Sequence, residues 1–388
     1  NRLFHVRYVN QDLSKTLCIS GTNTLLYPGA PGTDDGVFIG IDDERYVVLH
    51  NSNMLDVELV IVEVDLDLNM SDREEIVLGG TNFAGSLYLD YLQYLYNSSQ
   101  NEYRLVLDDY DLRIEEAGSV EAFQLELMKD LSEGKTPDIY FGNFYDYNYL
   151  GRNGYVVDLV PLFEVDSEIS IEDLQTSVRN MIVNSDGTCY QLMSGYYVNG
   201  MVGLEDYFPS SEVSIYDLND LPQDINLYMG ESSSNLLEDA LIYSIEEIVE
   251  QNYKNTGTYD ITEEQLTDLI EYAVNYGCSP DAYLSSGSSF YTDVLDSTVL
   301  LSKDAYMISQ LQMFRADSLC AGKKLTFVGY PSLYGSVHLA NPEALMAISS
   351  STEHLDACWM FVKCLLSEEM QVEQISSSNQ RYPVVTKV

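Results

Sequence analysis

The feature that most constrains the fold is a regular alternation of strand-like and helix-like stretches between Glu74 and Gly142. Three short apolar segments, EIVLGG, EYRLVLDDY and PDIYFG, have the pattern of strands, and two amphipathic segments separate them. Strands that alternate with helices favour a mostly parallel sheet with right-handed crossovers. The sequence therefore predicts an α/β fold for this part of the chain.

The two predicted helices have defined apolar sides, because residues three or four apart lie on one face of a helix. The face predicted for the first helix consists of Phe83, Leu87, Tyr91, Leu92 and Leu95. The face predicted for the second consists of Val120, Phe123, Leu127 and Leu131. Gly134 is placed to end that second helix.

The second half of the chain begins with a polar turn at Asp186-Gly187 and a glycine-rich extended stretch. A mainly helical region follows, in which NLLEDALIYSIEEIVEQ is amphipathic, and Thr262 and Gln265 fit a capping box at the start of the next helix. KLTFVGYPSLYGS and EALMAIS are strand-like. The last helical stretch is predicted to break near Ser367.

Residues 1–72 have the pattern of β-structure. GVFIGIDDERYVVLH predicts a hairpin that turns at DDE, and DVELVIVEVDLDL predicts a further strand with apolar residues at every second position. A blade or two of a β-propeller or a small β-sandwich would fit this segment. It is therefore expected to be separate from the α/β part.

The charge of the chain limits its partners. The 388 residues, a length that predicts two or three domains, include 19 basic and 62 acidic ones, a net charge of −43. Such a field repels phosphate groups, so we expect no binding to nucleic acid, nucleotides or anionic membrane surfaces. With 45% apolar and 11% aromatic residues, the chain can still bury substantial cores.

The cysteines do not predict a disulfide scaffold, because there are six in the chain and none forms a C-x-x-C pair. Cys358 and Cys364 are six residues apart and therefore lie on different faces of a helix. Separate buried thiols are expected, and Cys278 with Cys320 is the pair to test for a bridge.

No apolar run reaches the roughly 18–20 residues that cross a bilayer. The chain opens with NRLFHVRYVN, without a visible signal peptide, and this start suggests a piece of a longer protein.

The sequence contains none of the common catalytic or metal-binding motifs, and it predicts no catalytic residue, no metal site and no cofactor. Asp65, Asp67 and Asn69 begin like a calcium loop, but Met70 and Ile76 replace the glycine and glutamate that such a loop needs. The four histidines lie in separate predicted elements, which argues against a metal or acid–base cluster, and they are His5, His50, His338 and His354.

Tyrosines gather where predicted strands end or cross. Four segments combine glycine with aromatic residues and, in most, asparagine or serine, and they are GGTNF, GNFYDY, SGYY and GYPSLYG. In open α/β sheets, ligands bind beyond the carboxyl ends of the strands. Aromatic rings pack on the C–H face of a sugar, while amides and hydroxyls bind its hydroxyl groups. Any one of the 31 tyrosines could equally be structural, but their repetition in four loops favours a carbohydrate site.

Several motifs occur in a specific order along the chain. They are LMKDLSEGKTPDIYF, LGRNGYVVDLVPLFEVD, DGTCYQL, FVGYPSLYGS, DACWMFVKCLLSEEMQ and RYPVV. From about Ile76 to Val384 the chain resembles the extracellular solute-binding proteins of ABC importers, a family that includes the maltodextrin-binding proteins. The resemblance is greatest to the lipoprotein-type members of Gram-positive gut bacteria.

The resemblance implies two α/β lobes of the periplasmic-binding-protein type, which close over a ligand about a hinge. Lobe 1 would comprise 73–193 and 335–388, and lobe 2 would comprise 194–334, with crossings near 192–198 and 330–335. The ligand-binding residues that the resemblance implies are Asn82, Phe83, Asn143, Phe144, Tyr145, Tyr196, Tyr197, Phe290, Tyr291, Tyr330 and Tyr334.

The hypothesis from the sequence is a non-enzymatic receptor that captures an oligosaccharide reversibly and delivers it to the permease subunits of an ABC transporter. The resemblance also implies a monomer at the cell surface, with a lipid anchor on an N-terminal segment absent from this chain. A peptide, amino sugar or cationic solute is an alternative cargo, a surface glycoside-processing enzyme is an alternative activity, and a lobe pair that only mediates adhesion is a third alternative.

The chain departs from the family in two respects. Sugar binders of this family often use tryptophan platforms, whereas the single tryptophan, Trp359, is on a helix where core packing is expected. Family members usually also continue beyond the position of Val388 and add helices to the second lobe.

Overall fold

The structure is a computed structural model, which describes five strands within residues 3–63 and most of the chain from residue 72 onward. The described residues beyond these strands are 72–83, 86–222, 226–228, 231–277, 294, 299–306, 311, 315–316, 321–376 and 381–386. They form two compact units. The first comprises Asn1–Gly195, Glu343–Ser378 and Pro383–Val388, and the second comprises Tyr196–Pro342 and Asn379–Tyr382.

The strands near the N-terminus are antiparallel. Their bounds are β1 Leu3–Val6, β2 Leu17–Ser20, β3 Val37–Gly40, β4 Arg45–Asn53 and β5 Asp56–Glu63. β1 pairs with β2, and β3, β4 and β5 form a three-stranded sheet. The predicted hairpin is confirmed, because Ile39 of β3 is paired with Val47 of β4.

Strands and helices then alternate as the sequence predicts. The bounds are β6 Glu74–Gly80, α1 Leu87–Ser99, β7 Tyr103–Asp109, α2 Tyr110–Ala117, α3 Val120–Glu133 and β8 Ile139–Phe141. β6 lies between β7 and β8 and is parallel to both. The α/β prediction is confirmed, but the sequence analysis missed α2.

The buried faces of the helices differ in part from the prediction. In α1 the buried side chains follow a spacing of four, with Leu89 beside them, and they are Tyr88, Leu89, Leu92 and Tyr96. Tyr91 and Leu95 are half-buried, so the predicted face is wrong for them, and the side chain of Leu87 lies outside the described residues. α3 buries Phe123, Leu127 and Leu131 as predicted, whereas Val120, the first residue of the helix, is exposed. Gly134 ends α3 with a positive φ of 71°, as predicted.

The chain completes the first unit with short helices and returns to its sheet near the C-terminus. The intermediate elements are α4 Tyr147–Arg152, α5 Val160–Val165, α6 Thr176–Ile182 and β9 Leu192–Met193.

The second unit is built on a mixed five-stranded sheet. The elements of the second unit are β10 Tyr196–Leu204, β11 Asn226–Tyr228, α7 Ser233–Thr256, α8 Glu263–Tyr276, β12 Val299–Tyr306, β13 Leu325–Val328, β14 Tyr330–Pro331, β15 Ser336–Val337 and β16 Leu339–Pro342. All of its strands except β14 and β15, which pair with each other, belong to the five-stranded sheet. β10 is the hub of the sheet, since it pairs with β12, β13 and β16. The predicted capping box of Thr262 and Gln265 is present at the start of α8.

The chain re-enters the first unit through β17 Leu345–Ile348, α9 Leu355–Leu365 and α10 Glu368–Ser376. The break between the two helices confirms the prediction near Ser367. β17 is antiparallel to β8 and β9, so the sheet order is β7-β6-β8-β17-β9 and the sheet is mixed rather than parallel throughout.

Trp359 packs in the core of the first unit, as expected. Its ring meets Phe163 edge-on at a centroid distance of 4.9 Å, and its indole N–H donates to Asp166 Oδ2 at 2.8 Å. Cys358 and Cys364 of the same helix are separate free thiols. The pair of Cys278 and Cys320 lies outside the described residues.

We predict that Gln371→Met lowers the melting temperature by roughly 5–10 °C. The fully buried Gln371 side chain donates to the carbonyls of Ser194 and Leu365 at 3.1 and 2.9 Å and accepts from Val384 N at 2.7 Å. Methionine has similar length but leaves these backbone groups unpaired. Gln124→Met on the exposed side of α3 is the matched control in thermal unfolding, and equal shifts for both variants would contradict the prediction.

We also predict that Asp166 makes folding stability depend on pH between about pH 4 and pH 2. The indole of Trp359 lowers the pKa of Asp166 to about 2, against about 3.9 in an unfolded chain. The stabilisation is therefore complete above the unfolded value and is lost as the pH falls towards the folded value. Thermal unfolding followed by the fluorescence of the single tryptophan should show the advantage of the wild type over Asp166→Asn shrinking over this range. A constant difference between pH 6 and pH 2.5 would refute it.

Candidate ligand-binding site

Two exposed asparagines follow neighbouring strands of the first sheet. The ends of β6 and β8 are adjacent, since Gly80 is paired with Phe141 in the parallel register. The chain leads from these ends to Asn82 and Asn143, whose side chains are both exposed. The structure therefore places two amide groups at the carboxyl edge of a parallel sheet, where open α/β sheets bind ligands.

Asn82 is held in an unusual backbone conformation by α2. Its φ is 59°, in the left-handed region that asparagine tolerates better than most residues. Its backbone N–H donates to Asp111 Oδ2 at 2.7 Å, and its side-chain amide donates to Thr81 Oγ1 at 3.1 Å. Asp111 is in the first turn of α2, so a helix that the sequence analysis missed positions one of the predicted site residues.

The loop that carries Asn143 is fixed to β17. Gly142 N donates to Leu345 O at 2.7 Å, and Leu345 N donates to Asn143 Oδ1 at 3.1 Å. Gly142 has a φ of 133°, and a Cβ there would lie 2.4 Å from the ring of Phe144. Only glycine satisfies both conditions, so this glycine fixes the course of the loop.

Phe144 and Tyr145 are half-buried and pack mainly on other rings. Phe144 meets Tyr110 edge-on at 5.4 Å, and Tyr145 meets Tyr140 edge-on at 5.6 Å. Tyr145 also lines a cavity of about 130 Å³ within the first unit. Burial raises the pKa of Tyr145, so its hydroxyl is protonated at neutral pH.

Three of the predicted rings are almost completely buried. Phe83 is 5% exposed, and a Cβ on Gly80 would lie 2.9 Å from its ring. Tyr196 stacks on Tyr382 at a centroid distance of 5.4 Å, and Tyr330 stacks on Tyr243 at 4.5 Å. Each of these rings is packed within its own unit.

Two predicted tyrosines of the second unit retain exposed surface. The guanidinium of Arg381 lies 5.2 Å from the ring centroid of the half-buried Tyr197. Tyr334 is 39% exposed, and its hydroxyl accepts from Gln265 Nε2 at 2.6 Å. The predicted residues Phe290 and Tyr291 lie outside the described residues.

The acidic residues near the strand ends are used within the protein. Asp109 accepts from the backbone N–H of Asp111 at 3.0 Å, Asp146 accepts from that of Tyr149 at 3.0 Å, and Asp108 pairs with Arg113 at 3.2 Å. Asp111 holds the loop of Asn82, as described above. These carboxylates therefore cap helices and fix loops.

Arg113 is a residue that the sequence analysis did not single out. Besides Asp108 it binds Asp130 at 2.6 Å, and its guanidinium lies 5.5 and 5.4 Å from the ring centroids of Tyr110 and Phe123. The sequence does not reveal this cluster, because Arg113 of α2 contacts Asp130 and Phe123 of α3 only when the two helices pack side by side.

A second cavity of the first unit is a surface groove of about 600 Å³ between α5 and α6. No aromatic side chain lines it, and the residues that do are Val160, Ile171, Glu172, Thr176, Arg179, Asn180, Val183 and Gly187. Arg179 is already bound to Glu172 and Thr176. The groove therefore lacks the rings that a sugar site requires.

The part of the chain that the structure describes has neither a metal-binding cluster nor a membrane-spanning helix. It contains no group of three or more histidine, cysteine or acidic side chains that could hold a metal ion. The start of the calcium-like segment, Asp65 to Met70, is outside that part. None of the described helices has the length and apolar character needed to span a membrane.

No family model and no curated protein sequence matches the chain. Among solved structures, it is similar to the sugar-binding protein MalE of Xanthomonas citri, with a TM-score of 0.55 and 11% identity over 80% of this chain and 79% of that one. It is also similar to a family 1 extracellular solute-binding protein of Bifidobacterium longum subsp. infantis, with a TM-score of 0.53, 12% identity and coverage of 81% and 83%.

A third similar structure is the bacterial solute receptor AcbH, which has a TM-score of 0.54, 10% identity and 82% coverage of both chains. AcbH has an exclusive substrate preference for β-D-galactopyranose. The chain has the fold of the extracellular solute-binding proteins. The resemblance stated from the sequence motifs is thus confirmed at the level of the fold, which is two-lobed in these proteins.

We predict that Asn82→Ala lowers the melting temperature by roughly 2–4 °C, whereas Asn82→Gly changes it by about 1 °C or less. The φ of 59° strains alanine and suits glycine. Thermal unfolding of both variants measures the difference. If alanine and glycine prove equally stable, the left-handed conformation of this residue is not present.

Proposed function

We propose that this protein is the extracellular substrate-binding component of an ABC importer and that its cargo is an oligosaccharide. The observation that carries the proposal is the pair of exposed amides, Asn82 and Asn143, at the carboxyl edge of the first sheet in a solute-binding-protein fold. Amide groups donate and accept hydrogen bonds at once, which suits the paired hydroxyl groups of a sugar.

In this proposal the cargo binds in a cleft between two lobes that close on it, and the lobes are 73–193 with 335–388 and 194–334. Hinge crossings near 192–198 and 330–335 would allow the closure. The amides would bind sugar hydroxyls, and the partly exposed rings would stack on the sugar, namely Phe144, Tyr145, Tyr197 and Tyr334. Phe290 and Tyr291 stay in the proposal as second-lobe contacts. Phe83, Tyr196 and Tyr330 would support the site from within the core.

The choice of a neutral sugar over a cation rests on the use of the acidic side chains. The net charge of −43 would favour a cationic cargo at long range. At the sheet edge, however, Asp109 and Asp146 cap helices, Asp111 holds Asn82 and Asp108 pairs with Arg113. A cation bound there would have to compete with these hydrogen bonds.

The same side chains support reversible binding of the ligand without catalysis. Amides and phenol rings bind and orient a ligand, but they do not supply the pair of carboxylic acids that glycoside hydrolysis requires. We therefore propose a non-enzymatic monomer at the cell surface, attached by a lipid anchor outside this chain. The permease subunits of the transporter would recognise its ligand-bound form.

The experiment is a thermal-shift screen over oligosaccharides, peptides and polyamines, followed by calorimetry on the hits. We predict that an oligosaccharide raises the melting temperature and that Asn82→Gly weakens its binding about tenfold, because one hydrogen-bonding amide is lost without backbone strain. Asn153→Gly, at the far end of α4, makes the same chemical change at another exposed asparagine and should bind normally.

Three other outcomes of these measurements would contradict part or all of the proposed function. Stabilisation by peptides or polyamines alone would replace the proposed cargo. Release of new reducing ends from the bound oligosaccharide would show an enzyme. No stabilisation by any compound would contradict a receptor function altogether.

A further inference from the structure

The two long helices of the second unit, α7 and α8, pack side by side in opposite directions. Near the end of α7, the side-chain amide of Asn252 donates to Oε1 of Gln265, in the first turn of α8, at 2.9 Å. Just after α8, a Cβ on Gly277 would lie 2.3 Å from Oγ of Ser233, the first residue of α7. The helices are therefore antiparallel and meet along a common seam.

The helix α7 carries apolar residues on two sides. Its buried side faces the core with a spacing of four, and the residues are Leu236, Ala240, Ser244, Ile248 and Asn252. A second row faces solvent, where Val249 is partly exposed and Ile242, Ile245 and Tyr253 are exposed. A surface helix normally places polar residues on the side away from the core. This second row is therefore not explained by the core of the unit.

The helix α8 has the same arrangement. It buries Leu269, Tyr272 and Ala273, whereas a separate row of apolar residues spaced by four is exposed. This exposed row consists of Leu266, Ile270 and Val274. Across both helices, the exposed apolar side chains retain 39% to 64% of their accessible surface.

Both rows border the seam between the helices. Ile245 lies seven residues, or two turns, before Asn252, so it shares the face of α7 that contacts α8. Leu266 lies eleven residues, or three turns, before Gly277, so it shares the face of α8 directed to α7. Because the cores of both helices lie on the other side of the seam, the two rows form one solvent-facing apolar surface, which we call the seam surface.

Two tyrosines extend the seam surface at the end of α7. Tyr253 stacks on Tyr259 with a centroid distance of 4.7 Å and nearly parallel rings, and both side chains are exposed. Apolar side chains scattered singly over a surface are normal, whereas a contiguous exposed patch marks an interaction site. The alignment of the rows and the tyrosine pair thus indicates a surface that another molecule covers.

The edges of the seam surface are acidic. Glu246 and Glu250 lie on the side of the α7 row away from α8, and Glu271 lies on the side of the α8 row away from α7; all three are exposed. Within these two helices, five acidic residues of α7 and four of α8 stand against one basic residue, Lys254, which is bound to Glu250. An apolar centre is therefore flanked by negative charge.

This charge decides between possible occupants. A second copy of the chain would bring two acidic rims together, and like charges across an interface are unfavourable. An amphipathic helix with lysine or arginine beside its apolar side would match both parts of the surface, because its apolar side chains cover the rows and its cations meet the glutamates.

We propose that the seam surface is a docking site for a basic amphipathic helix of a partner protein. The site lies entirely within the second unit, since α7 and α8 both belong to it. It is independent of the oligosaccharide proposed as cargo and adds an interaction with a macromolecule to the function of the protein.

The test uses a labelled synthetic helix of about 18 residues, long enough to cover both rows, with leucines along one side and lysines flanking them. Fluorescence anisotropy measures its binding to the full chain. We expect the double variant Ile245→Ser, Ile270→Ser to bind at least tenfold more weakly than the wild type, because two apolar contacts are lost. The matched control is Leu125→Ser, Met128→Ser, which changes exposed apolar residues of α3 in the first unit and should bind normally.

The acidic rim has its own test, which does not depend on the isoleucine variant. Glu246→Gln, Glu271→Gln should also weaken binding, and a peptide with the same leucines but flanking glutamates should not bind. Thermal unfolding checks that each variant is folded.

Four results would overturn the proposal. Equal binding by the isoleucine variant and the wild type would show attraction by charge alone, and equal binding of the glutamate peptide would exclude a basic partner. A dimer of the wild type that the isoleucine variant loses in sedimentation would assign the surface to a second copy. Binding of the wild type, but not of this variant, to neutral phosphatidylcholine vesicles would assign it to a membrane. Failure of the oligosaccharide screen with normal peptide binding would reject only the proposed function.

Discussion

The pairing of β17 with β8 is the constraint on which the first unit depends. Met346 is paired with Phe141, and the chain between these two strands contains Tyr196–Pro342, the larger part of the second unit. The same contact continues into the loop after β8, because Leu345 forms hydrogen bonds with Gly142 and Asn143. A long-range strand pairing thus orders both a core and the loop that carries Asn143, and such a contact must overcome a large loop-closure entropy.

Backbone hydrogen bonds occupy several carboxylates at the carboxyl edge of the first sheet. The carboxylates near the strand ends cap α2 and α4 or fix loops, so their oxygens already accept hydrogen bonds within the protein. The groups that remain directed to solvent at this edge include the amides of Asn82 and Asn143. The net negative charge of the protein therefore acts over long distances, whereas these amides form hydrogen bonds only with groups in direct contact with them.

The tyrosines serve several physical purposes, and this diversity is why their number alone did not define a site. Tyr96 and Tyr330 fill cores, Tyr334 bonds to a helix start, and Tyr110 buries its hydroxyl against Gly79. A phenol ring supplies apolar area and a polar tip, so it fits each of these places. Its environment, rather than its identity, decides which purpose it serves.

The sequence by itself determined the alternation of strands and helices apart from α2, the stop at Gly134 and the capping box at Thr262. These features depend on local periodicity and on the conformational preferences of single residues. Only the tertiary structure decided that α2 exists, that β17 inserts beside β8, and that Phe83 and Tyr330 are buried while Asn82 is exposed. Burial depends on partners that are distant in the chain, and a local pattern carries no information about those partners.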